Sequence, residues 1–390
     1  MSIDSIRLQR SHCRYTATIF RLVGDVFSQE MEPSVASTRN YSLDAARGIL
    51  MMLGVVLHAS NIYATRAFWL VSDPDRRAAF DVISNVIHAF RMPAFFWISG
   101  YFCALTFERL GAEGMFRRRF LRLALPLVTT WLTFNVVQEY VLAAHAGTDP
   151  VAAVLDGVPI SHLWFLLDML VYTCVATLVL PRLKGKPTTD HWLLRVHWAV
   201  LLLVLACVSY AAAFIVRLTG AAYVHMFDMP DLYRLATYGP FFAVGLVMYG
   251  STRVRETFFR TPVALLFVAL PLALVAGHLP ARYGRPAIEL AGFVFVLSTW
   301  ASVAAVLGIF ERLFRRESRL TRFLSDASYT VYLFHQLLVV VLGFALIQVD
   351  ISPWVKFAGI CIVALVTTSM VHILVVRRVP WVRLLFNGKT

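Results

Sequence analysis

Arg47 and His58 are the two residues of this chain best placed by type and spacing to do chemistry together. They stand as R-x10-H in RGILMMLGVVLH, inside the first long apolar segment, where an ionisable side chain is costly and marks a functional candidate by default. A helix turns about 100° per residue, so eleven positions return the pair to within roughly 20° of one face, separated by about 16 Å of rise. That geometry suits a long anionic ligand whose head meets a cation while its reactive end meets a base. A neutral imidazole is a usable general base near neutral pH, so His58 in a membrane cavity can deprotonate an alcohol as it attacks an activated ester. Arg47, fork-shaped and always charged, can grip phosphate, with Asp44 orienting it across one helical turn. Acyl-coenzyme A has this shape, with phosphates at one end and a thioester at the end of a flexible arm. Taken singly, each residue has a plainer reading: an intramembrane His is often only an interhelical hydrogen-bond donor, and a juxtamembrane Arg often only snorkels. Their shared face weighs against it.

The elements that must position this pair are transmembrane helices. The chain has 390 residues, is 59% hydrophobic and only 15% charged, and has a mean hydropathy of +0.69, which excludes an ordinary soluble domain. Its net charge of +13 is spread in short clusters between apolar runs, without a nucleic-acid motif, so lipid is the expected partner and nucleic acid is not. Five cysteines (Cys13, Cys103, Cys174, Cys207 and Cys361) show no CxxC spacing, and four fall in apolar spans where they act as small hydrophobes. No metal site and no tightly bound cofactor is expected, since HExxH, GxSxG and Gly-rich phosphate loops are missing from the sequence. Residues 1–40 mix charge throughout and read as a cytoplasmic extension with some surface-helix character, while 41–390 form the membrane domain.

The expected fold is all-α and polytopic, with ten spans at about 43–63, 82–107, 119–143, 163–181, 196–218, 232–250, 262–278, 287–310, 326–348 and 353–376. Lys and Arg supply an independent orientation test. With the N-terminus inside, the inside segments hold five (1–42), five (109–122), four (182–195), three (251–261), five (311–325) and four (377–390). Outside loops hold only Arg66, Arg76, Arg77, Arg282 and Arg285. Both termini are therefore expected in the cytoplasm. The runs FRRRFLR and RLFRRESRLTR lie against anionic lipid in this scheme, or hold a phosphorylated cytoplasmic ligand.

Orientation then sorts the remaining candidates. His88 and Arg91 come near the outer surface on the second span, above Pro93 and the Ser99-Gly100 pair, which are expected to loosen the helix. His162 and Trp164 fall at the outer interface and Asp168 further in, while Tyr332 and His335 are buried in the ninth span. All seven are candidate contacts for acceptor or acyl group. Each also has a structural alternative: interfacial anchors for His88 and Arg91, a cation partner for Asp168, packing for His335 and the aromatic clusters.

At these residues a resemblance becomes specific. LDAARGILMMLGVVLH resembles the opening helix of the integral-membrane acyltransferase-3 family, marked by Arg, ten residues, His; FRMPAFFWISGYF is similar to its FF-x-x-SG segment. HLWFLL and YTVYLFH resemble two further family stretches. Within the family, H-x-FRM-x-x-FF-x-ISGYF, SHLWFLL, PFF-x-x-G and LLFNGKT look like the branch that succinylates osmoregulated periplasmic glucans, from about residue 41 onward. The resemblance implies transfer of succinyl from cytoplasmic succinyl-CoA, a substrate rather than a resident cofactor, to glucose hydroxyls of a periplasmic glucan. It also implies a multi-pass protein of a bacterial inner membrane, alongside other glucan-biosynthesis proteins. It supports roles for Arg47 and His58, and gives Arg91, His162, Asp168 and His335 only a motif neighbourhood.

Two alternatives stay open at this point. One is an O-acetyltransferase of another envelope polysaccharide, which needs a small apolar acyl pocket where a succinyl carboxylate needs a cation. The other is a permease without covalent chemistry, against which the lack of a transporter-type internal repeat counts.

Overall fold

The computed structural model describes residues 40–66, 69–183, 196–220, 231–278, 283–316 and 318–389, and every regular element among them is helical. The expected N-terminal extension therefore lies outside the described residues, apart from its last position. Thirteen α-helices follow in order: α1 (Tyr41–Tyr63), α2 (Ala78–Thr130), α3 (Val136–Ala146), α4 (Pro150–Asp156), α5 (Trp164–Leu183), α6 (Trp198–Leu218), α7 (Leu232–Gly250), α8 (Thr252–Phe259), α9 (Leu266–Ala276), α10 (Gly284–Leu313), α11 (Arg319–Ile347), α12 (Pro353–Val371) and α13 (Pro380–Asn387).

Each of the ten hydropathy segments falls on helix, but fewer helical runs are both long and apolar enough to count as separate spans. Among the described residues seven helical runs are long and apolar enough to cross a membrane, and an eighth if α8 and Val263–Ala276, bent by 58°, act together. The difference has two causes. Two of the expected spans merge into one run of 69 residues, Ala78–Ala146. At 1.5 Å per residue that run is about 100 Å long, some three bilayer cores, and it cannot be one straight span. It is broken at Gly111, whose φ of 70° and ψ of −174° leave the helical region in a way a side chain resists. Segment 232–250 is helical as α7, yet Arg234, Thr237 and Pro240 in its first half hold its hydropathy down.

Helix α11 begins sharply because the Ser318 hydroxyl accepts from Thr321 N at 3.0 Å while the Thr321 hydroxyl accepts from Ser318 N at 3.2 Å, a reciprocal cap. It packs along α1, and α2 packs along α7 and α5. Small residues let these backbones approach. A Cβ at Gly48 would stand 2.9 Å from the Leu324 carbonyl carbon, and one at Gly100 only 2.0 Å from Phe242 O. Gly245 is the reciprocal case, its Cβ position 2.0 Å from Trp97 O. Gly100, expected to loosen its helix, instead seals a helix crossing.

Candidate active site

Three imidazoles meet in the interior between α1, α11 and the turn before α5. His58 lies 5.3 Å from His335 and His335 lies 5.6 Å from His162, centroid to centroid. His335 is 1% exposed. Its Nδ1 stands 2.8 Å from Tyr332 O and 3.0 Å from Val331 O, two acceptors that require Nδ1 to carry the proton. Nε2 then bears the lone pair, and it is buried without a hydrogen-bond partner among the described residues. In His162 the roles of the nitrogens reverse, with Nε2 3.4 Å from Leu333 O and Nδ1 buried and unpartnered. Nδ1 of His58 is a third such atom. Buried polar atoms are nearly always paired, so three orphaned imidazole nitrogens in one place mark a site built for something the chain itself does not supply.

Each ring is held from outside the cluster. Trp69 stacks on His58 at 5.4 Å. Its loop is pinned by the buried Lys356–Asp73 pair at 2.9 Å and by Asp81, which accepts from Thr65 N and Arg66 N, both at 2.9 Å. The turn Ser161–Leu163 that carries His162 is braced by Asn135, whose amide donates to Pro159 O at 2.9 Å and Ile160 O at 3.0 Å. Tyr332 donates to His162 O at 2.7 Å.

Arg91 completes the cluster. It is 6% exposed, donates from Nε to Leu50 O at 2.8 Å, and pairs with no carboxylate among the described residues. Gly54 makes its room: a Cβ there would lie 2.4 Å from Arg91 Nη2 and 3.5 Å from His335 Nε2. One cation and one free lone pair thus converge on the same bare stretch of α1. A cation left in an apolar interior is expensive, and an anionic or strongly polar ligand offsets that cost.

Toward the other end of α1 and α11 lies a cavity of ≈ 320 Å³. Arg47, Arg109, Arg118, Arg119, Arg122 and Lys389 line it, against Asp326 as the one carboxylate of its lining. Arg47 donates to Ser325 Oγ at 2.8 Å and pairs with Asp44 at 3.0 Å, while its guanidinium stands 5.3 Å from the centre of the Phe102 ring. The inner wall is apolar, formed by Met51, Phe95, Phe165 and Tyr329 among others. Tyr332 separates it from the imidazoles, stacked on Tyr329 at 6.3 Å and edge-on to Phe165 at 6.1 Å.

A family model described as an acyltransferase domain matches residues 40–372. The chain belongs to the acyltransferase-3 family. Among curated relatives it is 28% identical to glucans biosynthesis protein C of Escherichia coli O17:K52:H18, over 91% of this chain and 96% of that one. It is 27% identical to the protein of the same name from Escherichia coli K12, with the same coverage. No solved structure matches.

In this acyltransferase the remaining candidates separate. His88 is exposed on α2 and makes no ring contact with the cluster. Asp168, 0% exposed, is held by Arg234 through two hydrogen bonds of 2.8 and 3.0 Å, which gives it a cation partner within the bundle. The same guanidinium covers Trp164 at 4.7 Å, and Trp164 stacks with Tyr238 at 5.8 Å. Sequence reasoning missed Arg234, Trp69, Ser325 and Lys389. Arg234 had a signal, an Arg inside an apolar span; Trp69, in a loop, had none.

Proposed function

We propose that the chain is an O-acyltransferase moving succinyl from cytoplasmic succinyl-CoA to glucose hydroxyls of a periplasmic glucan. The observation that carries this reading is the continuity of α1 and α11. Arg47 and Ser325 of these helices line a cation-rich cavity, and His58 and His335 of the same two helices, about 15 Å further along, face each other in the interior. Phosphates held at one end put a thioester on a flexible arm within reach of the other.

In this scheme His58 takes the proton from a sugar hydroxyl as its oxygen attacks the thioester carbonyl. The tetrahedral intermediate collapses with loss of the coenzyme thiolate, and the imidazolium returns its proton to that sulfur. Arg47, oriented by Asp44, holds phosphate with a planar fork. Arg91 faces the acyl group, as partner of the succinyl carboxylate or of the developing oxyanion. The Lys and Arg distribution supports a cytoplasmic N-terminus, C-terminus and donor cavity, in an inner membrane.

The test is mass spectrometry of periplasmic glucans from cells lacking the gene, complemented with the wild-type chain or with His58→Ala. Succinyl increments restored by the wild type alone support the proposal. Acetyl increments would replace the donor, and neutral glucan found outside in both strains would leave no role in substitution. Periplasmic labelling of a cysteine placed in 182–195 would reverse the sidedness.

A further inference from the structure

Helix α13 reads PWVRLLFN and is followed by Gly388 and Lys389. Proline at its first position starts it, and its apolar face is buried, with Phe386 edge-on to Phe334 at 5.0 Å and to Phe134 at 5.8 Å. Gly388 ends it with φ +56°, a left-handed turn that glycine adopts without strain. The same glycine presses on α2, for a Cβ there would stand 2.6 Å from Arg122 Cα and 2.7 Å from Leu121 O. Arg122 is in turn tied to α11, its carbonyl accepting from the Tyr329 hydroxyl at 2.8 Å. Buried Asn387 reaches the Thr330 hydroxyl at 3.5 Å, and that hydroxyl stands 2.8 Å from His372 Nδ1.

These contacts fix the backbone immediately before Lys389 and set its exposed side chain on the wall of the cation-rich cavity, beside Arg122 and Arg118. Packing alone gives no reason to aim a sixth cation at five others. Like charges brought together are destabilising unless an anion joins them. We infer that Lys389 is a phosphate-binding residue of the donor site, presented by α13 and positioned by Gly388. This rests on the cavity receiving the phosphate end of an acyl-coenzyme A. A phospholipid headgroup presents the same chemistry, and the test separates the two sources.

The experiment is calorimetric titration of coenzyme A into the purified full chain in a neutral detergent, with Lys389→Gln, Lys389→Arg and Gly388→Ala compared to wild type. A parallel arm measures the rise in melting temperature on adding phosphatidylglycerol. Lys389→Gln is expected to weaken coenzyme A binding roughly tenfold, the scale of one charge-assisted hydrogen bond, while Lys389→Arg retains most of it. Gly388→Ala, which keeps the lysine but displaces its backbone, is expected to weaken binding as well, and the lipid effect is expected to stay constant. Undiminished coenzyme A binding by folded Lys389→Gln would overturn the inference. A change confined to the phosphatidylglycerol arm would overturn it in favour of lipid contact. Failure of the wild type itself to bind coenzyme A would instead remove the donor reading on which the inference stands.

Discussion

The imidazoles of His58 and His335 stand 5.3 Å apart, one on α1 and the other near the middle of α11. Of the two, His335 has its tautomer set by backbone carbonyls, while His58 is positioned by ring contacts with His335 and Trp69. Two imidazoles sharing so small a volume act as a unit. His58→Ala is expected to lower acyl transfer about 10²- to 10⁴-fold while the protein still inserts and folds. Adding His335→Ala should then cost far less than its effect in the wild type. Turnover per folded molecule of the two single variants and the double variant checks this; independent, multiplicative losses would separate the two rings functionally.

Gly54→Ala tests whether Arg91 is held where chemistry needs it. The new methyl carbon would lie 2.4 Å from Arg91 Nη2, the far end of a flexible side chain that can move aside. The expected result is a stability loss of no more than about 1 kcal/mol with activity reduced at least about tenfold, a separation that packing damage does not produce. Equal losses of stability and activity would assign Gly54 to packing.

Gly245→Ala is the contrasting case, because its Cβ would meet the Trp97 carbonyl oxygen at 2.0 Å and no side chain can yield. Separation of α2 from α7 is expected to cost about 2 kcal/mol or more, read as a lower melting temperature and lower abundance, with near-normal turnover for the molecules that fold.

Gly100 and Gly245 show what was legible in the sequence and what was not. Every hydropathy segment fell on helix, because apolar length is a property of a segment by itself, whereas the short helices α4, α8 and α13 lie between or after those segments and gave no such signal. Hydropathy could not count the spans, because whether 82–107 and 119–143 are separate depends on the backbone at Gly111. FF-x-x-SG and PFF-x-x-G stood out as patterns, yet only the crossing of α2 and α7 shows that each glycine receives the other helix's carbonyl. Helical period placed Arg47 and His58 on one face. The meeting of His58 with His162 and His335, the pairing of Asp168 with Arg234 and the landing of Lys389 beside Arg122 all depend on contacts between distant segments, which no local pattern encodes. The run FRRRFLR was ambiguous between lipid and phosphate; in the structure Arg118, Arg119 and Arg122, spaced to share one side of α2, line the cavity.

Arg47→Lys keeps the charge and loses the planar guanidinium, whose Nη2 meets both Ser325 Oγ and Asp44 and whose fork suits phosphate. The Michaelis constant for the acyl-coenzyme A donor is expected to rise about tenfold with a smaller change in kcat, since uniform binding is what a remote phosphate contact supplies. An unchanged donor constant would return Arg47 to a snorkelling role at the membrane surface.

Lys389 predicts a pH dependence of the same constant. Although its side chain reaches solvent, the protein around the cavity mouth desolvates it, and the charges of Arg122, Arg47 and Arg118 add to this, against an opposing effect of Asp326. Its ammonium therefore loses its proton below the ordinary lysine value of about 10.4. The charged form is the one that binds phosphate, so donor affinity is expected to be full at neutral pH and to fall as pH rises through the lowered pKa. Bound phosphate favours that form, so in the same window donor binding takes up protons. In Lys389→Arg the guanidinium stays charged throughout, and the alkaline weakening should disappear; in Lys389→Gln affinity should be low and flat. Donor Michaelis constants measured from neutral to about pH 10 for the three proteins decide the matter. An alkaline limb that survives unchanged in Lys389→Arg would place the titrating group elsewhere in the cavity.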